Sequence, residues 1–175
     1  MTELRAVDGD DIGAVTHIYA HHVLHGTGTF ELEPPDEAQM ARRVTSVMSL
    51  GLPFLVAVEA GGVVGFAYAG QYRPRPAYRF TVEDSIYLDP AAAGRGLGVR
   101  LLNAVLDRCE ALGIRQVVAV IGDSANTASI RTHERCGFGH VGTFRAVGWK
   151  FDRWLDTVLM QKDLGAATGP STKGQ

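Results

Sequence analysis

The stretch DSIYLDPAAAGRGLGVRLLNAVLDRCEALG, residues 84–113, decides the fold of the chain. An apolar run ends at Leu88, glycines then recur at Gly94, Gly96 and Gly98, and apolar residues follow at helical spacing. Glycine tolerates backbone conformations that other residues avoid, and apolar positions three and four residues apart mark one face of a helix. The stretch therefore predicts a strand, a glycine-rich turn and a long helix.

The composition fits one globular domain with a core of its own. The chain has 175 residues, of which 46% are hydrophobic and 21% charged, and we expect a single domain over residues 1–164 with a frayed tail over residues 165–175. A formal net charge of -2 gives no electrostatic basis for binding nucleic acid, and no apolar run is long enough to cross a bilayer. The N-terminal residues lack the features of a secretory signal, and Cys109 and Cys136 follow no metal or redox spacing, so we expect a cytoplasmic protein.

Helical and extended patterns alternate along the chain. Helical spacing predicts two opening helices, and Gly61-Gly62 is a signal for a hairpin between two apolar strands. A third strand precedes the glycine turn. After the turn we expect a helix to about Ala111, a strand QVVAVIG, a helix from about Asn126 to Cys136, and closing strands around GHVGTFRAVGWK and DTVLMQKDL. This order favours an α/β (α+β) fold, in which a mixed sheet lies between helices on both faces.

The glycine turn has the chemistry of an anion-binding loop. Glycines between a strand and a helix let the backbone approach a ligand, and the positive end of the helix favours a group such as pyrophosphate. The spacing after Gly94 is G-x-G-x-G, whereas the dinucleotide fingerprint requires G-x-G-x-x-G, and the ending of a nucleoside triphosphate loop is missing. A flexible connection without a ligand stays as the alternative for this segment taken alone.

A second motif, IGDSANTASIRTHERCGF at residues 121–138, gives the turn a specific meaning. It has Asn126 at a helix start, His133 within the helix and a Gly-Phe end, and here the sequence resembles the GNAT-type N-acetyltransferase superfamily. That superfamily carries Gln/Arg-x-x-Gly-x-Gly/Ala in its coenzyme A loop, and the pattern begins here at Ala93, in place of Gln or Arg. The replacement of Gln or Arg by Ala93 affects one side-chain contact near the pyrophosphate and leaves the backbone amides of the turn unaffected.

The resemblance narrows to the phosphinothricin acetyltransferase family and its relatives that acetylate methionine sulfoximine or sulfone. It rests on GFAYAGQYRPRPAYRFTVEDSIYL, VVAVIGDSAN and RTHERCGF…GTFRAVGWK, and it covers nearly the whole chain up to about Leu164. It implies a twisted GNAT-type sheet of about six to seven strands, and acetyl coenzyme A as cosubstrate without a metal. It places the pyrophosphate on the glycine turn and the pantetheine arm beside the third strand. The implied cofactor-binding residues are Ile86, Tyr87, Leu88, Gly94, Arg95, Gly96, Leu97, Gly98, Val99, Asn126 and Ser129.

Two side chains have the chemistry that amine acetylation needs. Glu83 stands in an otherwise apolar strand, where partial burial raises the pKa of a carboxylate and lets it accept a proton from an ammonium group. The resemblance implies that Glu83 is the general base. An exposed charge at the strand edge is the alternative, with Asp84 equally able to point outward. His133 is typical of the narrower family, and its imidazole can protonate the leaving thiolate or relay the amine proton, or it can be a structural helix histidine.

The segment QYRPRPAYRF indicates how the acceptor is selected. Pro74 and Pro76 bias their neighbours toward extended backbone, so we expect Arg73 and Arg75 to lie on one face of an extended segment. Two guanidinium groups suit a carboxylate together with a second anionic or strongly polar group. A basic, proline-stiffened surface loop without a ligand is the alternative. The residues that we expect to wall the acceptor pocket are Tyr78 and Phe30.

The HHVLH segment gives only weak evidence for a metal site. His21 and His25 are four residues apart and can share a helix face, but no third ligand stands at a diagnostic spacing. We therefore expect no metal site.

Together these patterns indicate an acetyl coenzyme A-dependent N-acetyltransferase. We expect direct transfer, in a ternary complex, to the α-amine of a small amino acid analogue such as phosphinothricin, methionine sulfoximine or methionine sulfone. The alternatives are an acetyltransferase for another small amine or a peptide N-terminus, and a coenzyme-binding regulatory module that has lost catalysis. The resemblance also implies a homodimer.

Overall fold

The structure is a computed structural model that describes residues 2–165. The expected tail over residues 165–175 lies, apart from Gly165, outside the described residues. The strands of the described part are β1 (Glu3–Ala6), β2 (Phe54–Glu59), β3 (Gly62–Gln71), β4 (Thr81–Leu88), β5 (Gln116–Gly122), β6 (Gly139–Lys150) and β7 (Arg153–Asp163). The helices are α1 (Ile12–His25), α2 (Glu37–Ser49), α3 (Leu97–Ala111) and α4 (Thr127–Arg135), and none of them within residues 2–165 is long and apolar enough to cross a bilayer.

All seven strands form one mixed sheet in the order β1-β2-β3-β4-β5-β7-β6. The pair β4–β5 is parallel, and every other neighbouring pair is antiparallel. The predicted mixed sheet is thus confirmed, and each helix and strand expected from the sequence is present. The sequence did not reveal β1, because its four residues are too few to show a clear alternation.

Helices cover both faces of the sheet, as expected. Successive strand residues point to opposite faces, so Leu55 and Ala57 of β2 pack in the core beneath α3 and α4. Phe54 and Val56 of the same strand pack in the second core, beneath α1 and α2. On α3, the residues that recur at helical spacing form the buried stripe, and its centre at Leu101 has no exposed surface.

The hairpin between β2 and β3 turns one residue earlier than predicted. Its two-residue loop is Ala60-Gly61, with φ of 48° and 81°, while Gly62 already pairs with Glu59. Two consecutive positive φ angles are the mark of a type I′ turn, which matches the twist of the flanking strands. The expectation of Gly61-Gly62 as the loop was therefore wrong in register, because the turn accepts alanine at its first position at some cost in strain.

The strands β4 and β5 separate partway along their length. They pair at Thr81–Gln116, Val82–Val117 and Glu83–Val118, and no pair between them follows in the described part of the chain. Beyond this point β4 stays paired with β3 and β5 stays paired with β7. The result is a gap between the carboxyl ends of two parallel strands, which is where ligands bind in sheets of this kind.

Candidate active site

The glycine turn between β4 and α3 is open and leads into a helix N-terminus. Gly94 and Gly96 have φ of 76° and 77°, and a Cβ atom at either position would meet no atom within 4 Å among the described residues. α3 begins at Leu97, and no side-chain cap satisfies its first amides in the described structure. Free amides and the helix dipole favour an anion, so the turn fits a pyrophosphate group.

Three further predicted coenzyme residues hold this turn against the rest of the fold. Leu97 and Gly98 are buried, and half-buried Val99 packs against the same core. A Cβ atom on Gly98 would lie 3.5 Å from Thr132 of α4 and 3.6 Å from Ile86 of β4. Gly98 therefore sits where α3, α4 and β4 meet, and these contacts set the position of the helix N-terminus relative to the gap.

The Arg95 side chain of the same turn lies at the surface. Its guanidinium donates a hydrogen bond to a Glu59 carboxylate oxygen at 3.0 Å, and that carboxylate also accepts from the Thr2 hydroxyl at 2.6 Å. The Arg95 side chain is 53% exposed, so the ion pair is screened by water and contributes little stability. A phosphate group near the turn can thus recruit Arg95 at small cost.

The predicted pantetheine strand has one free backbone edge. Ile86, Tyr87 and Leu88 pair with β3 on one side, while their other side faces the gap left by β5. The Leu88 carbonyl accepts a hydrogen bond from His22 Nε2 at 2.7 Å, which ties α1 to the end of β4. Burial lowers the pKa of His22, which favours the neutral ring in this bond. Unpaired strand backbone can bind an extended amide-containing arm by adding one more strand-like partner.

Asn126 is the N-cap of α4, and both ends of its amide are engaged. Its Oδ1 accepts from the Ser129 amide at 3.3 Å, and its Nδ2 donates to the Gly122 carbonyl at 3.4 Å. Asn126 and Ser129 therefore join the start of α4 to the end of β5 at the rim of the gap.

Glu83 lies on the face of β4 that carries α1 and α2. It is half-buried, whereas its strand neighbours Val82 and Asp84 are buried on the opposite face. Burial raises the pKa of Glu83, the negative charge of Asp84 raises it further, and the positive charge of Arg73 lowers it. A carboxylate in this environment binds a proton more readily than one in water, as a general base for an ammonium group requires.

His133 lies on the other face of β4 and is 3% exposed. Its Nδ1 is 2.8 Å from the Ser129 carbonyl, and its Nε2 is 2.9 Å from Asp84 Oδ2. Burial lowers the pKa of His133, the hydrogen bond and charge of Asp84 raise it, and the net direction is upward. Both ring nitrogens are therefore engaged, and one of the partners is a buried carboxylate.

The buried carboxylate was not among the residues singled out from the sequence. The sequence allowed Asp84 to point outward in place of Glu83, but the structure buries Asp84 and leaves Glu83 toward the α1/α2 side. The signal was present in the alternation of the strand, since Val82, Asp84 and Ile86 must share one face. The structure brings Glu83 and His133 to opposite sides of the same strand, where β4 leaves β5.

The basic segment after β3 is not a continuous extended strand. β3 ends before Arg73, and a 3-10 turn at Pro76–Tyr78 begins directly after Arg75. Arg75 is extended, as expected, at φ -74° and ψ 136°, but the segment contains bends and a 3-10 turn instead of the continuous extended backbone that we predicted. The proline at the start of the turn favours its first helical position. Exposed Arg73 stacks over the Tyr72 ring at 5.2 Å, and the Tyr72 and Tyr78 rings lie 5.6 Å apart.

Phe30 lies in the loop between α1 and α2, close to the end of β5. A Cβ atom on Gly148 would overlap its ring and one on Gly122 would come within 2.9 Å of it, so both positions need glycine for the ring to fit. Lys150 Nζ donates to two carbonyls of the same loop at 2.9 Å and 2.8 Å. These contacts fix Phe30 beside the end of β5.

Two histidines of α1 lie close to each other. The His21 and His25 rings lie 4.9 Å apart. Within residues 2–165, no group of three or more His, Cys, Asp or Glu side chains is arranged to hold a metal ion.

Comparison with known proteins shows the family of the chain. The sequence matches the family model of the Acetyltransferase (GNAT) family over residues 18–138. It is 52% identical over 163 residues to the phosphinothricin N-acetyltransferase of Alcaligenes faecalis, across 93% of this chain and 83% of that protein. It is 38% identical over 167 residues to the L-methionine sulfoximine/L-methionine sulfone acetyltransferase of Salmonella typhimurium, across 95% of this chain and 97% of that protein.

A solved structure shows the same fold with the coenzyme bound. The chain is similar to the GNAT superfamily phosphinothricin acetyltransferase from Sinorhizobium meliloti in complex with acetyl coenzyme A, with a TM-score of 0.94 and 46% sequence identity. The similarity covers 98% of this chain and 94% of that chain. The resemblance inferred from the sequence motifs is thereby confirmed.

The glycine turn leads to a prediction that uses the two ends of α3. Acetyl coenzyme A should raise the Tm of the wild-type protein by roughly 5–10 °C at a hundredfold excess over Kd, because it binds only the folded state. NADH and ATP should raise it much less. Gly96→Leu should abolish the shift, since the new side chain occupies the space of the pyrophosphate.

Gly113, just beyond the other end of α3, is a matched control for this experiment. It has φ of 76°, and a Cβ atom there would also meet no described atom within 4 Å. Gly113→Leu should therefore lower the Tm by backbone strain as much as Gly96→Leu does, yet keep the shift with acetyl coenzyme A. An unchanged shift in Gly96→Leu, measured by thermal denaturation, would refute the assignment of the turn.

Proposed function

The chain belongs to the GNAT acetyltransferase family and is an acyltransferase that uses acetyl coenzyme A, and we propose that its acceptor is the α-amine of a small amino acid analogue. The candidates are phosphinothricin, methionine sulfoximine and methionine sulfone, the compounds named for the two relatives. The observation that carries the proposal is Glu83, a half-buried carboxylate of raised pKa at the gap between β4 and β5, with the positive charge of Arg73 acting on it.

The described residues divide the work of the reaction. The glycine turn binds the pyrophosphate, and the free edge of β4 orients the pantetheine arm beside the gap. When bound, acetyl coenzyme A supplies the acetyl group as an activated thioester. Glu83 accepts the proton that the amine must lose before it can attack, directly or through a water molecule. This division supports an enzyme over a regulatory module, because a module that only binds coenzyme has no need of a tuned carboxylate.

Direct transfer to the amine is supported by the state of the two cysteines. Burial and the charge of Asp84 raise the pKa of the Cys109 thiol to about 12. Burial also raises the pKa of Cys136, against the opposing charge of Lys162. A thiol must ionise to act as a nucleophile, so neither side chain is suited to carry the acetyl group. Both are free and buried, which is also consistent with the cytoplasmic location that we propose.

The acceptor is held, in our proposal, by the basic segment and the loop that carries Phe30. Arg73 and Arg75 bind the carboxylate and the phosphinyl, sulfonyl or sulfoximine end, although they lie in a bent segment before a 3-10 turn instead of in a strand. The support for Arg73 is electrostatic, since its charge acts on Glu83. Phe30 and Tyr78 form the walls of the same pocket.

A homodimer is the assembly that we propose, through the hairpin of β6 and β7. β6 is one of the two edge strands of the sheet, and an unpaired edge favours association with another chain. Large apolar side chains on this hairpin are at least half exposed or close to it, which forms an apolar surface of the kind found at interfaces. They are Val141, Phe144, Val147, Trp149, Phe151 and Trp154.

The general-base role predicts opposite effects on rate and stability. Glu83→Gln should lower kcat by roughly 100-fold or more at neutral pH and leave the affinity for acetyl coenzyme A nearly unchanged. The decrease in kcat of Glu83→Gln should be smaller at high pH, where the amine deprotonates without a general base. Because the folded-state pKa of Glu83 is raised, its ionised form destabilises the fold above that pKa, so the variant should also have a higher Tm at neutral pH.

Glu110 on α3 is exposed and offers the control for this substitution. Glu110→Gln should change neither kcat nor the shape of the pH profile, measured by thiol release. In the wild-type enzyme kcat should fall as the pH drops through the raised pKa of Glu83, because the base must be ionised. Normal turnover of Glu83→Gln at neutral pH would exclude it as the base.

The acceptor proposal predicts a selective loss of substrate affinity. Arg73→Ala and Arg75→Ala should each raise the KM of the amino acid by roughly one to two orders of magnitude and leave the KM of acetyl coenzyme A little altered, as expected for a lost charge-assisted pair. Arg73→Ala should also move the acid limb of kcat to higher pH, since the Arg73 charge holds the pKa of Glu83 down.

A screen of amine acceptors tests the same proposal on the wild-type enzyme. Thiol release should be fastest with the three amino acid analogues, and esterification of their carboxylate should mimic one of the arginine variants. Arg42→Ala, on the exposed side of α2, is the control and should behave as wild type. Equal activity of Arg73→Ala and Arg75→Ala on free acid and ester would instead favour a neutral amine or a peptide N-terminus.

The dimer is tested by light scattering on the purified protein. The wild type should have twice the 18.8 kDa mass of one chain. Phe144→Asp should reduce it to a single chain, because it places a charge in the proposed interface. Leu50→Asp, at a residue 54% exposed against 56% for Phe144 but outside the hairpin, should keep the dimer mass. A wild-type mass of one chain would contradict the assembly.

A further inference from the structure

The peptide unit between Leu88 and Asp89 is the last one on the free edge of β4 before the chain turns toward the glycines. The Asp89 amide donates to the Val64 carbonyl of β3 at 2.9 Å. In a trans peptide the N–H and C=O groups point in opposite directions, so the Leu88 carbonyl points away from β3 and toward the gap. The separation of β5 therefore leaves this carbonyl without a partner from the sheet.

His22 of α1 supplies the missing partner. Its Nε2 lies 2.7 Å from the Leu88 carbonyl oxygen, and a carbonyl oxygen only accepts, so Nε2 carries the hydrogen. Leu88 is half-buried, where an unpaired carbonyl would be costly. The imidazole thus does the work of a β5 amide, and one peptide unit is bonded on both sides, to β3 and to α1.

Aromatic neighbours hold the His22 ring against the strand. The ring centroids of His22 and Tyr87 lie 5.3 Å apart, and Tyr87 packs edge-on against Tyr19 at 4.9 Å. Tyr19 and His22 lie about one turn apart on α1. The helix therefore contacts the end of β4 through two side chains, and the donor nitrogen has a defined position.

Between this peptide unit and the glycine turn, the hydrogen bonds of the described structure are local. The Asp89 carboxylate accepts from the Ala91 amide at 2.8 Å, and the Asp89 carbonyl accepts from the Ala92 amide at 2.8 Å. Gly94 follows directly after this short segment, with φ of 76°. On the β4 side, the direction in which the chain enters the turn is therefore set at the peptide unit that Val64 and His22 hold.

We propose that His22 is a positioning residue for acetyl coenzyme A, because it replaces the missing β5 partner and holds the free edge of β4 and the glycine turn in one arrangement. This inference rests on the proposed function, in which the pantetheine arm follows the free edge and the pyrophosphate lies on the turn. A ligand that spans two subsites binds tightly only when their separation matches its own length. His22 acts on coenzyme affinity through Leu88 and takes no part in the proton transfers.

The same bond limits which backbone groups of β4 are left for the arm. Opposite residues of an antiparallel pair alternate between hydrogen-bonded and non-hydrogen-bonded positions. Since Asp89 and Val64 are hydrogen-bonded, Leu88 and Ile86 turn their backbone groups toward the gap. His22 occupies the Leu88 carbonyl, so the arm is left with the Leu88 amide and both groups of Ile86.

Amide hydrogen exchange on the protein without coenzyme is the first test. The Asp89 amide belongs to the same peptide unit as the Leu88 carbonyl, so its protection reports on the bond from His22. His22→Asn should lower this protection by about 10-fold, because the shorter amide does not reach the carbonyl. His22→Gln should keep it, since its amide nitrogen extends about as far as Nε2. Equal protection of Asp89 in His22→Asn and in the wild type would overturn the proposal.

Calorimetry with the coenzyme is the second test. His22→Asn should raise the Kd of acetyl coenzyme A by about 10-fold, whereas His22→Gln should stay within about 2-fold of the wild type. The KM of acetyl coenzyme A should rise in parallel, while kcat at saturating coenzyme and the KM of the acceptor should change little. ADP has a pyrophosphate but no pantetheine arm, so it should bind all three proteins equally. An equal loss of coenzyme affinity in His22→Gln would refute the role of the hydrogen bond.

His17, an exposed residue on the same helix, gives the control for a change in helix propensity. His17→Asn should leave both the protection of Asp89 and the Kd of acetyl coenzyme A as in the wild type. In the wild type, acetyl coenzyme A should add protection at the amides of Ile86 and Leu88. No added protection there would refute the placement of the arm, and with it the role of His22 in coenzyme binding, even where His22→Asn exposes Asp89. The two failures are therefore distinguishable.

Discussion

The separation of β4 from β5 after the pair Glu83–Val118 is the constraint on which the site depends. Backbone groups in a sheet normally find partners on both sides, so strands that part must each be held by other contacts. β4 keeps its ladder with β3 to Leu88, and β5 keeps its ladder with β7 to Gly122. Because each strand is secured on its far side, the gap can stay open without loss of the sheet, and a ligand can take the place of the missing partner.

The two faces of the sheet have different surroundings, and they meet at the gap, whereas a continuous sheet would separate them. Successive residues of a strand face opposite sides, so Glu83 and Asp84 differ in surroundings although they are adjacent in sequence. Glu83 faces the α1/α2 side with the charge of Arg73 nearby, while Asp84 meets His133 beneath α4. Glu83 is suited to accept a proton, and the Asp84–His133 pair is suited to hold one. Strand alternation alone therefore separates the two proton sites by the thickness of one strand.

Local patterns in the sequence predicted much of this architecture, and contacts between distant residues account for what was missed. The glycine turn and the Asn126 cap are local features, and both are present where the spacing indicated. The Asp84–His133 contact joins residues 49 apart, so its partner was not visible from either motif. The segment that carries Arg73 and Arg75 was predicted to be continuously extended, and this was wrong because two prolines permit bends and a 3-10 turn as readily as a strand.

The two sides of the proposed acceptor pocket differ in how firmly they are held. Phe30 is fitted against two glycines, and its loop is anchored by Lys150, a 4% exposed cation that donates to carbonyls of that loop. Burial lowers the pKa of Lys150 and Glu31 raises it, so the hydrogen bonds must offset the cost of a buried charge. Arg73 and Arg75 are exposed, and Arg73 stacks on the Tyr72 ring. In the pocket that we propose, a fixed aromatic side chain and an exposed basic segment suit acceptors that share an amino acid core and differ at their polar end, because exposed side chains can change conformation between them.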